Sequence, residues 1–265
     1  MDLQLDGKRA LVTGSTAGIG FAIACTLAAE GAQVIINGRT QERVNAALTH
    51  LRDIYPQAKV SGVAADLATA AGVAQFIQAC PDVDILVNNL GIFFPFAPFE
   101  TIEDSEWFHI FETNVMSGVR LARQYLSQMK ARNWGRIVFI SSESGISPHP
   151  SMVHYSMTKS AQLSVSRALA EYCAGTGVTV NTVVPGTTRT EGANEIFQSA
   201  AKQQNVPFEE FEKTFFATVR PTSIIKRFIQ PAEIAATVAY LCSPLSAATT
   251  GAAIHAEGGT IGSLI

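Results

Sequence analysis

The sequence carries little charge. Of its 265 residues only 15% are Asp, Glu, Lys or Arg, against 47% hydrophobic, and the formal net charge is -3. No basic patch stands ready for a nucleic acid, which excludes that class of partner. No run approaches the roughly 18 apolar residues that a membrane-crossing helix needs. The opening Met-Asp-Leu-Gln-Leu-Asp-Gly-Lys lacks the apolar centre of a signal peptide, so a cytoplasmic protein with no membrane partner is the expectation. Cysteine is scarce as well. Cys25, Cys80, Cys173 and Cys242 lie far apart, match neither metal spacing nor a disulfide framework, and read as small core hydrophobes. The five histidines include no pair at ligand spacing, so no metal is expected. His149 and His154 suit either a solvated loop or the mouth of a pocket. There is no internal repeat and no low-complexity tract.

What is present is an alternation of short apolar runs with helical patterns. Arg9-Ala-Leu-Val-Thr13 reads as a strand, followed at once by Gly-Ser-Thr-Ala-Gly-Ile-Gly and then by a helix with Ile19, Ala22, Ile23 and Leu27 on one face. Strand, glycine turn, helix is the order of a phosphate cradle. Gly14 permits the turn, Gly18 lets backbone approach a pyrophosphate, and Gly20 allows close helix packing, while the helix N-terminus offers N–H donors and positive dipole. Glycines that merely turn the chain are the competing explanation. Further strands are expected over Val34–Ile36, Gly62–Ala65, Val83–Val87, Arg136–Ile140, Val178–Val184 and Ala252–Ala256, and helices over about Thr40–Tyr55, Ile102–Arg132 and Pro231–Leu241, the last with proline at its start.

The segment Ile140 to Lys159, ISSESGISPHPSMVHYSMTK, follows a buried strand and delivers a serine cluster to the rim where open α/β sheets bind ligands. Tyr155 and Lys159 are four apart, hence on one face of a helix. A free phenol ionises near pH ~10 and a neighbouring ammonium favours the phenolate, so Lys159 is expected to lower the Tyr155 pKa and poise it for proton transfer.

Ser142, thirteen residues before that Tyr-x-x-x-Lys, together with Thr13-Gly-x-x-x-Gly-x-Gly20, Asn88-Asn-Leu-Gly91, Asn114 and Pro185-Gly186, makes the chain resemble the short-chain dehydrogenase/reductase family along nearly its whole length. The resemblance implies one doubly wound Rossmann-type α/β domain over residues 1–265, with a largely parallel sheet of about seven strands and helices on both faces. Segment 191–227 would be its substrate lid. It implies a nicotinamide-dependent oxidoreductase moving hydride between cofactor and a carbonyl or secondary alcohol. Ser142, rather than Ser141 or Ser144, would polarise the carbonyl and Tyr155 would give the proton. Lys159 would bind the ribose and sustain the tyrosine. Asn114 would kink its helix and hold a water against the lysine, through which the proton is refilled from solvent. The cofactor would meet Gly14, Ser15, Thr16, Gly18, Ile19, Gly20, Asn89, Gly91, Tyr155, Lys159, Pro185, Gly186, Thr188 and Thr190. Asp66-Leu67 would meet the adenine, although a helix cap explains Asp66 equally well. Asn88 would stabilise the sheet. Leu90 departs from the family's usual alanine and would tighten the space beside the ribose.

Cofactor choice rests on Ile36-Asn-Gly-Arg-Thr40. An NAD enzyme places an acid near this point for the ribose 2′-hydroxyl. Here Gly38 stands at that position and Arg39 follows, a fork suited to a 2′-phosphate, or else a solvated turn residue. Ala17, where some NADP-preferring relatives carry a second base, withholds one support. NADP(H) is therefore favoured, with NAD(H) possible. The phenylalanines of Ile92–Phe99 and of the lid (Phe197, Phe208, Phe211, Phe215, Phe216) point to an apolar or aromatic carbonyl or alcohol substrate. Helices apolar on more than one face, with Val119, Leu121 and Leu126 and with Leu163, Val165 and Leu169, point to a homo-oligomer, tetramer or dimer. An NADPH-dependent ketone or 3-oxoacyl reductase fits best. A sugar, polyol or hydroxysteroid-type dehydrogenase and a cofactor-binding regulatory protein remain as alternatives.

Overall fold

The computed structural model describes residues 1–94 and 96–263. Pro95, within the Ile92–Phe99 stretch, and Leu264 and Ile265 of the expected 1–265 domain lie outside the described residues.

The apolar runs form seven parallel strands, because strands buried on both faces are satisfied only when helices cover both sides. In chain order they are β1 (Arg9–Val12), β2 (Gln33–Gly38), β3 (Val60–Ala64), β4 (Ile85–Asn88), β5 (Gly135–Ile140), β6 (Val178–Pro185) and β7 (Ala253–Ala256). They lie in the order β3-β2-β1-β4-β5-β6-β7, all pairs parallel. The order reverses between β1 and β4, which opens a crevice at the carboxyl ends of those two strands. Helices α1 (Gly18–Ala29), α2 (Gln41–Ile54) and α9 (Pro231–Cys242) join one face of the sheet in a core that includes Ile23, Leu27, Leu51, Ile234 and Val238. Helices α3 (Ala70–Ala79) and α5 (Ser117–Ala131) pack on the other through Phe76, Leu121, Tyr125 and Met129. Each such side chain contributes about 1.5–3 kcal/mol by leaving water.

Local signals set the helix starts. Thr40 caps α2 by accepting from the Arg43 N–H, Thr69 caps α3 by accepting from Gly72, and α9 opens on Pro231 with the Glu233 carboxylate accepting from the Gln230 N–H at 2.8 Å. The cysteines are free, with Cys80, Cys173 and Cys242 buried. Among the described residues no helix is long and apolar enough to cross a membrane, and no cluster of candidate metal ligands occurs.

The helix expected over Ile102–Arg132 runs without a break from Asp104 to Ala131, but not as one regular α-helix. It divides into α4 (Asp104–Phe111), a π turn at Glu112–Met116 and α5, and Asn114 sits inside the π turn. A π turn adds a residue to the helical cycle and redirects its neighbours, a device common beside functional sites. His154 takes neither place expected of it. On α6 (Val153–Tyr172) it is buried, stacked on Phe94 with ring centroids 5.6 Å apart and tilted against Trp107, and neither ring nitrogen has a partner among the described residues.

Candidate active site

The crevice is floored by the glycine loop between β1 and α1. Gly14 and Gly18 both have φ of +59°, backbone that L side chains rarely adopt. Asn37, buried at the end of β2, fixes the loop. Its Oδ1 accepts from the Gly14 N–H at 3.2 Å while its Nδ2 donates to the carbonyls of Val63 and Ala65. Ser15 was expected to face the cofactor, yet its hydroxyl is turned inward, donating to the Val12 carbonyl at 2.7 Å and accepting from the Asn37 N–H. Its backbone N–H is taken by the Asn37 carbonyl as well, so Ser15 supports the loop from beneath. Thr16 and Ile19 are half-buried at the start of α1. Gly20 tolerates no side chain, because a Cβ there would stand 2.4 Å from Asn89 Nδ2. That amide in turn donates to the carbonyls of Thr13 and Gly14. Leu90 leans on the glycine turn, 3.3 Å from where a Gly14 Cβ would be. Asn88, buried beside Gly118, keeps its backbone in the sheet, but its side-chain amide finds no partner among the described residues.

Helix α1 lacks a side-chain cap and has no acid in its first turn, leaving its N-terminal donors free for an anion. A carboxylate from elsewhere takes one of them. Glu191, first residue of α7 (Glu191–Gln203), accepts from the Gly18 N–H at 2.8 Å, while Thr190, the α7 cap, packs its methyl on Gly18. An acidic oxygen thus occupies one of the N–H donors that the loop would offer an anion, and the residues fit a dinucleotide phosphate. We expect Glu191→Gln to lower the NADPH dissociation constant roughly two- to five-fold, the scale of one charge at an exposed helix end. Fluorescence titration measures it; unchanged or weaker binding would contradict the competition.

At the end of β5 three serines sort by exposure. Ser141 is buried, donating to the Lys159 carbonyl at 2.8 Å, and Ser144 is buried too. Ser142 is half-buried, accepts from the Ser144 N–H at 3.2 Å and stands near enough to Tyr155 to favour its ionised form. Tyr155 and Lys159 leave one face of α6, with Nζ 5.6 Å from the tyrosine ring centroid. The lysine donates to the carbonyl of Ile140 at 2.9 Å and to Gln162 Oε1 at 3.2 Å. Gly91 opens the space beside it, since a Cβ there would lie 3.3 Å from Nζ. Asn114 clamps this loop: Oδ1 accepts from the Ile92 N–H at 2.8 Å, and Nδ2 donates to the Ile92 carbonyl and to Thr158 Oγ1.

The expected lowering of the tyrosine pKa is reversed in the protein by itself. Burial pushes Tyr155 up to about 12, against a downward pull from the Ser142 hydrogen bond, and Glu143 adds to the rise. The same burial pushes Lys159 down to about 7. A dry pocket disfavours both charged forms, so spacing along the helix was a poor guide to electrostatics.

Around the second strand, Gly38 ends β2 under Thr16, and a Cβ there would lie 2.5 Å from the threonine methyl. Arg39 is exposed and unpaired with any carboxylate among the described residues. Asp66 is exposed and accepts from the Ala68 N–H in a turn ahead of α3, while Leu67 is buried. Pro185 ends β6. Gly186 fits closely between Glu257 and Glu143, and Thr188 donates to the Gly186 carbonyl at 2.9 Å.

The lid phenylalanines are placed differently from expectation. Phe197, Phe208, Phe211, Phe215, Phe216 and Phe228 stack on one another in a separate small core around α7 and α8 (Phe208–Thr218), with Phe211, Phe216 and Phe228 buried. Two short amphipathic helices projecting from the main core must bury their own apolar faces. The ring beside the tyrosine is instead Phe93, 57% exposed and edge-on to Tyr155 at 6.4 Å. No motif singled out Glu143, Glu191 or Gln162. Glu143 follows Ser142, is buried, and pairs at 2.7 Å with Arg220, which follows α8, pinning this segment to the loop after β5. Burial raises its carboxyl and Arg220 opposes the rise. Only Gln162 had a signal in the sequence, the i+7 place from Tyr155 on the same helix face.

The family model for short chain dehydrogenases matches residues 8–201. The uncharacterized oxidoreductase YvaG of Bacillus subtilis (strain 168) is 53% identical over 264 residues, covering 100% of both chains. The 3-oxoacyl-[acyl-carrier-protein] reductase FabG of Aquifex aeolicus (strain VF5) is 33% identical, covering 98% of this chain and 99% of its own. Among solved structures, L-sorbose reductase from Gluconobacter frateurii, complexed with NADPH and L-sorbose, superposes over 100% of both chains with a TM-score of 0.92 at 30% identity.

Proposed function

This chain belongs to the short-chain dehydrogenase/reductase family of oxidoreductases, and on that premise we propose that it is an NADPH-dependent reductase of apolar or aromatic ketones or 3-oxoacyl groups. The observation that carries the reading is the convergence of Ser142, Tyr155 and Lys159 under the exposed ring of Phe93. A bound nicotinamide supplies the hydride. The chain's own part is to orient and polarise. The Ser142 hydroxyl and the Tyr155 phenol face the position where the carbonyl oxygen gains charge, and donors placed there act on the transition state more than on the ground state. Tyr155, protonated across the neutral range, gives its proton to that oxygen. Lys159 faces the ribose side across the gap that Gly91 leaves. Segment 191–227 acts as the lid, closing from Thr190 on the phosphate loop to Arg220 on Glu143. The half-buried Val119, Leu163, Val165 and Leu169 support a homo-oligomer, and a cytoplasmic setting suits the chemistry.

The preference for NADPH rests on Gly38 and Arg39. An acid at position 38 would have to displace Thr16, and the free guanidinium suits a 2′-phosphate. Arg39→Ala is expected to raise the Michaelis constant for NADPH roughly tenfold, the scale of one charge-assisted contact, and to change that for NADH less than about twofold. Wild-type protein that used NADH more efficiently than NADPH would overturn the assignment and leave the Ser-Tyr-Lys chemistry standing.

A ketose or polyol substrate is the second reading. It is favoured by Glu143, whose Oε2 lacks a partner among the described residues beside Ser142, and by the sorbose reductase likeness. NADPH consumption over aryl and alkyl ketones, 3-oxoacyl thioesters and ketoses decides between them. Faster turnover of ketoses would displace the apolar reading. Cofactor binding without turnover of any carbonyl would favour a regulatory protein.

A further inference from the structure

Gln162 joins two of the site residues through its side chain. Its Nε2 donates to the Asn114 carbonyl at 2.6 Å and its Oε1 accepts from Lys159 Nζ at 3.2 Å. All three are almost out of solvent, at 2% exposure for Gln162, 1% for Asn114 and 4% for Lys159. The chemistry allows only one orientation of the amide. A carbonyl can only accept and an ammonium can only donate, so the amide nitrogen must face Asn114 and its oxygen must face Lys159. The π turn carries the Asn114 carbonyl to this side of α6. With the Asn114 side chain committed to Ile92 and Thr158, that carbonyl is what the residue offers the lysine's surroundings.

We propose that Gln162 is a positioning residue for the reaction, holding Lys159 by a neutral amide bridge to the Asn114 carbonyl where a relaying water was expected. The inference rests on the reductase reading above. An amide links two groups but neither takes up nor releases a proton near neutrality. The bridge therefore supports the ammonium without conducting protons.

The ionisable neighbours of Lys159 are few. Tyr155 lies one turn back on α6, and Glu143, on the turn packed against α6, acts on Tyr155. Glu112, the acid of the π turn, is engaged with Arg120 at 2.6 Å. From β5 the Ile140 carbonyl accepts from the lysine, and from the 88–92 loop Gly91 lies beside it. Among the described residues the oxygen of Gln162 is thus one of two acceptors for the lysine.

The test is to titrate Lys159 by NMR in protein labelled at the lysine ε-carbon, with Lys159→Arg to assign the signal, alone and with NADPH. Gln162→Met, of similar shape and without the acceptor, should lower the lysine's titration midpoint by about one pH unit, and Gln162→Glu should raise it by about one to two. The alkaline limb of kcat/KM for NADPH-dependent reduction of ethyl acetoacetate should shift in the same order. Midpoints that stay fixed in both variants while only thermal stability falls would overturn the proposal. If Gln162→Met does not fold, an unmoved midpoint in Gln162→Glu overturns it alone. Absence of turnover on any carbonyl would refute the reductase reading, while the titration, which needs no substrate, still decides the role of Gln162.

Discussion

Tyr155→Phe is expected to lower turnover by roughly 10²–10⁴-fold, the usual scale for losing a positioned proton donor. Fold and NADPH affinity should stay within about twofold of wild type. The variant keeps the ring that meets Phe93 edge-on at 6.4 Å and lies 5.6 Å from the Lys159 ammonium, and removes only the hydroxyl. Burial holds that hydroxyl at about 12, so the acid form dominates at every pH an assay would use. In the direction of reduction this is the form that is needed. Steady-state NADPH oxidation gives the rate and fluorescence titration the affinity. Turnover within about tenfold of wild type would mean that the substrate oxygen takes its proton from another group.

Lys159→Met should fall as far in turnover, roughly 10²-fold or more, and in addition weaken NADPH binding, because one side chain serves both tyrosine and ribose. An effect confined to one of the two would separate those roles. The same variant carries a stability signature. Burial depresses Lys159 from 10.5 to about 7 in the folded chain. Between those values the unfolded chain holds a proton that the folded chain gives up. Wild-type stability from this group therefore falls as pH drops from about 10.5 to about 7, and is constant below that. Methionine carries no such penalty. Cofactor-free Lys159→Met should melt above wild type at pH 7, with the gap closing as the pH approaches 10.5. A gap independent of pH would mean that the lysine keeps its charge in the folded protein.

The alternation of apolar runs and helical patterns, the glycines between the first strand and its helix, and the placing of Ser142, Tyr155 and Lys159 along β5 and α6 are all legible in the sequence. Each is encoded within a few residues: strand and helix periodicity, caps such as Thr40 and Thr69, and one-turn spacing depend on neighbours in the chain. Strand ends differ from expectation by one or two residues because pairing across the sheet sets them, as when β3 begins at Val60 to meet Val34 on β2.

Tertiary structure decided the rest. The Glu191 carboxylate reaches Gly18 from 173 residues away, and Gln162 reaches the Asn114 carbonyl across 48. Nothing local foreshadows Glu191, and the helical spacing from Tyr155 gives Gln162 a face but no partner, since each contact exists only after two helices have been set against the sheet. The phenylalanines of 191–227 announced an apolar surface, but whether they would face a substrate or one another depended on how α7 and α8 fold back together, and they chiefly face one another. The electrostatics followed the same division. Spacing put a lysine beside a tyrosine, while the depth of burial, a property of the whole fold, determined that both would resist charge.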